Sequence, residues 1–242
     1  FFVPLFDSFS STNLIIIERF TWWFHILGIL AFLNYVLISK HLHIFFAFPS
    51  TYYANIEKLG KFDNLKSVTN EVKLMLDPNA DPFSVPQNQD QKPVSLFGAR
   101  DATDLNWVQL LNAYSCTECG RCSSVCPANQ TGKELSPRKI MMDTRDRIEE
   151  IGRLKENNTN YLLGNYISKE ELWACTTCNA CTDACPINLD PLSIIVDLRR
   201  YLVMEESAAP TELNNMFSNV ENNGAPWQFP AADRLNWIEE NK

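Results

Sequence analysis

The most hydrophobic part of the sequence lies near the N-terminus. Residues 20–38 read FTWWFHILGILAFLNYVLI and contain no formally charged side chain. At about 1.5 Å of rise per residue, a helix of this length is long enough to cross the hydrocarbon layer of a bilayer. Trp22 and Trp23 at one end and Tyr35 near the other suit the two headgroup levels. The pattern predicts one transmembrane helix, with a cleaved signal peptide and a buried helix of a soluble protein as the alternatives.

Beyond the apolar stretch, the pattern predicts a spacer followed by amphipathic helices. Residues 50–95 are polar and contain several prolines, which predicts an extended linker with one short amphipathic helix at 65–76. In residues 96–206, apolar stripes begin at helix-start signals such as the capping box at 168–171. The predicted fold class is therefore all-α. The predicted parts are a membrane segment at 1–49, the linker at 50–95, a helical domain at 96–206 and an acidic tail at 207–242.

Composition and charge exclude several classes of function. The 242 residues include 21 Lys and Arg against 29 Asp and Glu, so the net charge of -8 has the wrong sign for neutralising phosphates, and we expect no nucleic-acid partner. The wide spacing of the eight glycines excludes a dinucleotide fingerprint and a P-loop. No histidine follows position 43, so the rest of the chain lacks a histidine base for nucleophilic catalysis. Because the chain begins with Phe, we expect it to be part of a longer polypeptide.

All eight cysteines fall in two windows with the same spacing, C-x2-C-x2-C-x3-C-P. This is the spacing of bacterial ferredoxins, in which three thiolates of one run hold one 4Fe-4S cluster and the fourth ligates the other cluster. The spacing disfavours disulfide bonds and paired zinc sites, which are the alternatives. The ferredoxin rule predicts two crossed ligand sets: Cys116, Cys119, Cys122 and Cys185 for cluster 1, and Cys175, Cys178, Cys181 and Cys126 for cluster 2.

Two of the three histidines are candidates for a haem site. His25 and His43 lie eighteen residues apart, which is five whole turns if one helix continues to Pro49. The two imidazoles would then lie on the same face at opposite membrane levels, with His41 on the other side. An imidazole in a membrane needs a partner, and haem iron or an interhelical hydrogen bond would supply one. A haem here would need further ligands from outside this chain.

Two parts of the sequence resemble known families. The run WWFHILGILAFLNYVLISKHLH resembles the last haem-bearing helix of cytochrome b domains of the nitrate reductase gamma-subunit type, which implies His25 and His43 as axial ligands of haem b. The strings SCTECGRCSSVCPAN and ACTTCNACTDACPINLDP resemble the alpha-helical ferredoxin domain of fumarate reductases, heterodisulfide reductases and glycolate oxidases. The tail ENNGAPWQFPAADRLNW is similar to the segment that follows the clusters in heterodisulfide-reductase-like proteins. The resemblance implies that residues 96–206 form such a domain with two 4Fe-4S clusters.

The order of these parts resembles membrane-bound iron-sulfur oxidoreductases that link cytoplasmic dehydrogenases or flavoproteins to quinone. This implies an electron-transfer subunit that relays single electrons between a cytoplasmic partner and haem b or the quinone pool, without a substrate site of its own. The lysines that follow the apolar stretch favour the bacterial cytoplasmic membrane with the clusters on the cytoplasmic side. No cysteine follows Cys185, so a CCG-domain subunit or a flavoprotein would be a separate chain. The alternatives are an iron-sulfur subunit of a heterodisulfide-reductase-like or glycolate-oxidase-like enzyme, and a structural or regulatory iron-sulfur module.

Overall fold

Helices form the described part of the protein, a computed structural model that covers residues 9–56, 60–77, 96–154 and 159–240. No β-strand occurs in these four ranges, and the predicted all-α fold class is confirmed. Short 3-10 turns at Lys40–Leu42 and Ala102–Asp104 precede the second and fourth helices. The helices are α1 (Ser11–Val36), α2 (His43–Tyr52), α3 (Lys66–Leu76), α4 (Trp107–Ser115), α5 (Arg121–Ser124), α6 (Pro127–Gln130), α7 (Pro137–Leu154), α8 (Lys169–Ala174), α9 (Ala180–Asp183), α10 (Pro191–Met204), α11 (Thr211–Asn223) and α12 (Asn236–Glu240).

Helix α1 has the length and composition of a membrane span. It contains 26 residues, which is about 39 Å at 1.5 Å per residue, and a hydrocarbon layer is about 30 Å thick. The Ser10 hydroxyl accepts a hydrogen bond from the backbone N–H of Asn13 and caps the helix start. None of its most apolar window is buried within the chain. The structure therefore does not use α1 as the core helix of a soluble domain, which was one of the alternatives.

The condition for stacking His25 and His43, a single helix that continues to Pro49, is not met. Helix α1 ends at Val36, and α2 begins at His43 after a turn of six residues. Ser39 breaks the helix because its backbone is extended, with φ -123° and ψ 166°, and its side chain accepts a hydrogen bond from the backbone N–H of His41. A hydroxyl that satisfies the free N–H groups of a new turn favours ending the old helix at that point. His25 and His43 therefore lie on different helices and do not share a face.

Helix α2 packs directly against the helical domain. The Ser50 hydroxyl donates a hydrogen bond of 3.0 Å to Oδ1 of Asn112 on α4, and both side chains are buried. The rings of Phe46 and Tyr114 meet edge to face with 6.2 Å between their centroids. The side-chain amide of Asn188 donates a 2.9 Å hydrogen bond to the carbonyl of Asn55. Contact with the domain is therefore made by α2 and by residues 50–55, at the start of the predicted linker. The proline-rich residues 78–95 of that linker lie outside the described ranges.

The core of the domain lies between α7 and α10 and extends to the loop before α8. Burial of these side chains is the main favourable contribution to folding. The predicted capping box is present, because Ser168 accepts from the N–H of Glu171 while the Glu171 carboxylate accepts from the N–H of Ser168. The predicted amphipathic helix at 65–76 is observed as α3. The large apolar side chains that are no more than 1% exposed are Leu135, Ile140, Met141, Leu162, Ile167, Leu172, Ile194, Ile195, Leu198 and Leu202.

A buried ion pair ties α7 to the segment before α4. Arg147 is 2% exposed and binds Asp101 through two hydrogen bonds, Nε to Oδ1 at 2.7 Å and Nη2 to Oδ2 at 2.6 Å. Asp101 also accepts from the N–H groups of Ala102 and Leu162. Two parallel charge-assisted bonds are the strongest form of this contact. The pair therefore fixes the loop whose following helix, α4, leads into the first cysteine window.

Candidate functional site

The two cysteine windows have the same local backbone. Each begins where a helix ends in an extended cysteine, at Cys116 after α4 and at Cys175 after α8. Each then contains two residues with left-handed φ at matching positions, followed by a four-residue helix (α5 or α9) and the fourth cysteine. Such residues reverse the chain within a few positions. The left-handed residues are Glu118 and Gly120 in the first window, and Thr177 and Asn179 in the second.

The first cavity encloses about 230 Å³ and is bounded mainly by the first window. Its wall is completed by the fourth cysteine of the second window and by residues of α2, His43 and Ala47. Cys119 forms its exposed edge, whereas the other thiols are partly or fully shielded. The cysteines that line the first cavity are Cys116, Cys119, Cys122, Cys185 and, at its inner wall, Cys181.

The second cavity is smaller and is bounded mainly by the second window. Its wall is completed by Cys126, the fourth cysteine of the first window. Cys181 lines both cavities, so the two spaces are adjacent. The other cysteines at this cavity are Cys175 and Cys178. The structure thus brings together the residues of each crossed set that the ferredoxin spacing predicts.

The geometry of the thiols fits polynuclear clusters better than the alternatives. All eight cysteines are free, so the structure contains no disulfide framework at these positions. Within the described ranges, no three His, Cys, Asp or Glu side chains converge on a point that one metal ion could occupy. The thiols are instead spread around the walls of two cavities, and a 4Fe-4S cluster takes four thiolates, one on each iron. The donor sets of the two cavities therefore match two such clusters, and the second cavity, at about 20 Å³, would have to widen to hold one.

Burial and mutual proximity control the protonation of the bare thiols. Burial raises the pKa of Cys116 and Cys122, and the neighbouring Cys185 raises both further. At the second cavity, burial raises the pKa of Cys175, and the neighbouring Cys126 raises it further. Burial also raises the pKa of Cys181, to about 12. These charge couplings join the same residues as the crossed sets. Because a thiol must lose its proton to bind iron, cluster binding releases protons from this site.

Backbone N–H groups point at the sulfurs in both windows. The N–H of Thr177 donates a hydrogen bond of 3.4 Å to Sγ of Cys175. The N–H of Glu118 likewise donates to Cys116, and this bond lowers the pKa of that thiol. The backbone N–H groups of Ser123 and Thr182 donate to the preceding thiols, Cys122 and Cys181, and lower the pKa of each. Hydrogen bonds to sulfur stabilise the more negative state of a cluster and so raise its potential. The repeated backbone therefore supplies matching sets of donors to both sites.

Charged groups beside the windows differ between the two sites, and the sequence did not predict their contacts. The guanidinium of Arg199 lies 4.9 Å from the ring of Trp173 and donates a 2.5 Å hydrogen bond to the carbonyl of Cys175. Burial lowers the pKa of Arg199, and the nearby Cys175 opposes that shift. Beside the first window, Glu118 pairs with Arg145 at 2.8 Å and with Lys40 at 3.0 Å. These hydrogen bonds, that of Arg145 first, lower the pKa of Glu118.

The histidines proposed for haem occupy unlike surroundings. His25 is exposed on α1, whereas His43 lies at the wall of the first cavity. Nδ1 of His43 donates a 2.6 Å hydrogen bond to the carbonyl of Lys40, which fixes the ring. His41 packs against the rings of Phe32 and Tyr35 at the end of α1. The stacked pair expected from a continuous helix is not formed, and the place of His43 at a cysteine cavity was not visible in the sequence.

Comparisons with known proteins agree with the cysteine site. A family model described as a 4Fe-4S dicluster domain matches residues 115–189. The chain is 30% identical over 266 residues to the probable iron-sulfur-binding oxidoreductase FadF of Bacillus subtilis, an alignment that covers 96% of this chain and 35% of that protein. It is 29% identical over 264 residues to the EtfAB:quinone oxidoreductase of Syntrophomonas wolfei, covering 99% of this chain and 34% of that protein.

The alignment with a third relative is shorter. The chain is 32% identical over 168 residues to a probable membrane-anchored ferredoxin of Chromohalobacter salexigens, covering 60% of this chain and 24% of that protein. The chain therefore spans about a third or less of the length of these three relatives.

Proposed function

Because the chain carries a 4Fe-4S dicluster domain and is related over nearly its whole length to iron-sulfur oxidoreductases, we propose that it is the membrane-anchored electron-transfer part of such an enzyme. In this proposal, two clusters pass single electrons between a soluble redox partner and quinone in the membrane. The observation that carries the proposal is the pair of adjacent cavities. Each is lined by three cysteines of one window and the fourth cysteine of the other, and Cys181 of the second set also lines the first cavity.

The cysteines would hold one cluster in each cavity. The first cavity would use Cys116, Cys119, Cys122 and Cys185, and the second would use Cys175, Cys178, Cys181 and Cys126. When bound, the clusters supply one-electron redox chemistry. The protein positions the sulfurs, shields most of them from water and directs backbone N–H groups towards them. Because Cys181 borders both cavities, the clusters would be neighbours, and electrons could pass between them without a mobile carrier.

The membrane side of the proposal is supported by α1. The helix is long and apolar enough to cross a bilayer, and the domain leaves it exposed. One relative is named a membrane-anchored ferredoxin and another an EtfAB:quinone oxidoreductase, which supports a membrane location and quinone as the acceptor or donor. We place the clusters on the cytoplasmic side, where a flavoprotein or a CCG-domain subunit would exchange electrons with them. Haem b is not part of the proposal, because His25 and His43 lie on different helices.

Metal analysis with cysteine variants tests the cluster assignment. The full chain, prepared without oxygen in detergent, should contain about eight irons and eight acid-labile sulfides, since each 4Fe-4S cluster contains four of each. Dithionite reduction should give two interacting electron paramagnetic resonance signals. A matched control is Thr117→Ala, inside the first window but not a thiol, which should keep both clusters. Zinc in place of iron would refute the proposal.

The crossing of the ligands is tested in the same samples. Cys185→Ser should perturb the signal that Cys116→Ser perturbs, and Cys126→Ser should perturb the signal of Cys175→Ser. If Cys126→Ser instead changed the Cys116 signal, each window would hold its own cluster, and the crossed assignment would be wrong. Resistance of the chain to alkaline carbonate extraction from membranes tests the span separately.

A further inference from the structure

Helix α2 has one face that contacts the domain. Phe46 packs on Tyr114, and Ser50 is fully buried and bonded to Asn112. His43 and Ala47, on the same side, form part of the wall of the first cavity. At 100° per residue, these four α2 positions fall within about 100° of the helix circumference. This side of α2 therefore contacts the domain and lines the first cavity.

The opposite face of α2 is apolar and exposed. We call the four residues Ile44, Phe45, Phe48 and Tyr52 the outer face. Their exposed fractions are 47%, 56%, 77% and 81%. At 100° per residue they also fall within about 100°, on the side away from the domain. A helix that is apolar on both sides needs a second apolar environment, because exposed apolar area of this kind is unfavourable in water.

Neighbouring residues extend the outer face in both directions. Before α2, Leu37 and Ile38 are exposed in the turn that follows α1. After α2, the ring of Tyr53 meets that of Trp107 at 4.6 Å, and both rings are about half exposed. Aromatic side chains with a polar edge are typical of the membrane–water boundary. Exposed apolar and aromatic side chains therefore flank the outer face on both sides in the chain.

We propose that the outer face of α2 lies in the interfacial layer of the bilayer, on the side where α1 leaves the membrane. The proposal rests on the proposed function, since it takes α1 to span the membrane. Only six residues separate α1 from α2, so α2 begins within about 20 Å of the end of the span even if those residues are fully extended. A lipid surface is thus the apolar environment that the connection places beside the outer face.

The proposed docking sets the order of the clusters. The first cavity lies directly behind α2, because His43 and Ala47 form part of its wall. A helix with its side chains is about 10–12 Å across, so the first cavity would lie about one helix from the lipid headgroups. The cluster held by Cys116, Cys119, Cys122 and Cys185 is then the membrane-proximal centre. The second cavity, which α2 does not border, would exchange electrons with the soluble partner.

Photo-crosslinking to lipid tests the docking. The full chain with its clusters is placed in nanodiscs of mixed phosphatidylcholine and phosphatidylglycerol, with p-benzoylphenylalanine at one position at a time. Phe48 is the test position, Phe24 on α1 reports on the span, and Phe229 is an exposed phenylalanine outside α1 and α2 that serves as the matched control. We expect lipid adducts at positions 24 and 48 in comparable yield, and no adduct above background at position 229.

The outcomes separate this inference from the proposed function. Lipid adducts at position 24 but not at 48, or only protein adducts at 48, would overturn the docking and leave the span intact. Adducts at 48 without adducts at 24 would support the docked helix and refute the span. Adducts at neither position would refute both, and equal adducts at 48 and 229 would overturn the docking because α2 would not differ from an ordinary exposed surface.

The cluster order has its own readout. In nanodiscs that contain lipids with gadolinium-chelate headgroups, a nearby paramagnetic ion speeds the relaxation of a cluster signal. The signal that Cys122→Ser perturbs should relax faster than the signal that Cys178→Ser perturbs. The reverse order would place the second cavity nearer the membrane and overturn the inferred electron path.

Discussion

Replacing Arg147 by methionine tests the role assigned to the buried ion pair. The substitution keeps most of the side-chain volume but removes the charge and the donors. In the unmodified chain Asp101 is 8% exposed, and Arg147 donates two hydrogen bonds to its carboxylate at 2.7 and 2.6 Å. The substitution leaves this carboxylate without its cation. Glu150, which also pairs with Arg147 at 2.6 Å, lies nearer the surface and can be solvated. The unpaired Asp101 is therefore the main source of the expected loss in stability.

The size of the effect follows from the burial of the pair. Removing one partner of a buried ion pair costs about 3–5 kcal/mol in the free energy of unfolding. For a protein of 150–250 residues, each kcal/mol lowers the melting temperature by about 2–4 °C, which gives a fall of about 6–20 °C. The matched control is Arg153→Met on the same helix, because Arg153 is 76% exposed in its pair with Glu149. A surface pair contributes about 0–1 kcal/mol, so the control should melt close to the unmodified chain.

The assay is anaerobic thermal unfolding followed by circular dichroism, with cluster absorbance recorded in parallel. Burial, the largest single influence on Asp101, raises its pKa, but the hydrogen bond from Arg147 and those from two backbone N–H groups together lower it below the ordinary value. A carboxyl with a lowered pKa stabilises the fold above its unfolded pKa of about 3.9, and that stability is lost as the pH falls through the folded pKa. Without Arg147, burial raises the pKa of Asp101, and the cost of the unpaired carboxylate is lost as that carboxyl protonates. The difference between Arg147→Met and the unmodified chain should therefore be largest at about pH 8–9 and shrink as the pH falls towards about 5. Equal melting temperatures for Arg147→Met and Arg153→Met would refute the reasoning.

Two further substitutions test close contacts of α10. Gly98→Ala should lower the free energy of unfolding by about 1–3 kcal/mol in denaturant titrations, because a Cβ there would lie 2.4 Å from the carbonyl oxygen of Asp197 at a φ of +92°. Gly152→Ala, on α7 with nothing within 4 Å of the added Cβ, should instead be neutral or stabilising by up to about 1 kcal/mol, and equal losses for both would contradict this account. Arg199→Gln should lower the reduction potential of the cluster that Cys175→Ser perturbs, because it removes a half-buried cation that favours the more negative reduced state. An electron paramagnetic resonance titration that moves the other cluster instead, or neither, would show that Arg199 does not act on the second cavity.

The sequence alone predicted the features that depend on residues close together in the chain. The capping box at Ser168 and the amphipathic stripe of α3 were found at the positions where the structure has them, because both depend on contacts three or four residues apart. The two cysteine windows were equally visible, since the spacing C-x2-C-x2-C-x3-C-P reflects a local loop that returns to one centre. The all-α class follows from the same local signals.

Local patterns did not show where the apolar helix ends. The apolar residues around position 37 fit a helix that runs to Pro49, and the eighteen-residue spacing of His25 and His43 suggested one shared face. The break at Ser39 instead leaves six residues in a turn, after which α2 packs on α4 through Phe46 and Ser50. Apolar periodicity describes where a helix is favourable, but it does not include contacts with a domain more than sixty residues away in the chain.

The sequence by itself thus determined the helical class, the long apolar helix and the two sets of four thiols. The crossing of Cys126 and Cys185 was predicted from the spacing, and only the tertiary structure decided that the two cavities are adjacent through Cys181 and that His43 lies beside the first of them. It also decided that Arg147 is buried against Asp101 and that Arg199 lies beside Cys175. The physical reason is that helix signals and cysteine spacing act over a few residues, whereas ion pairs, cavity walls and the docking of α2 join residues from distant parts of the chain. Their partners are set by packing and burial of the whole domain, which no single stretch of sequence contains.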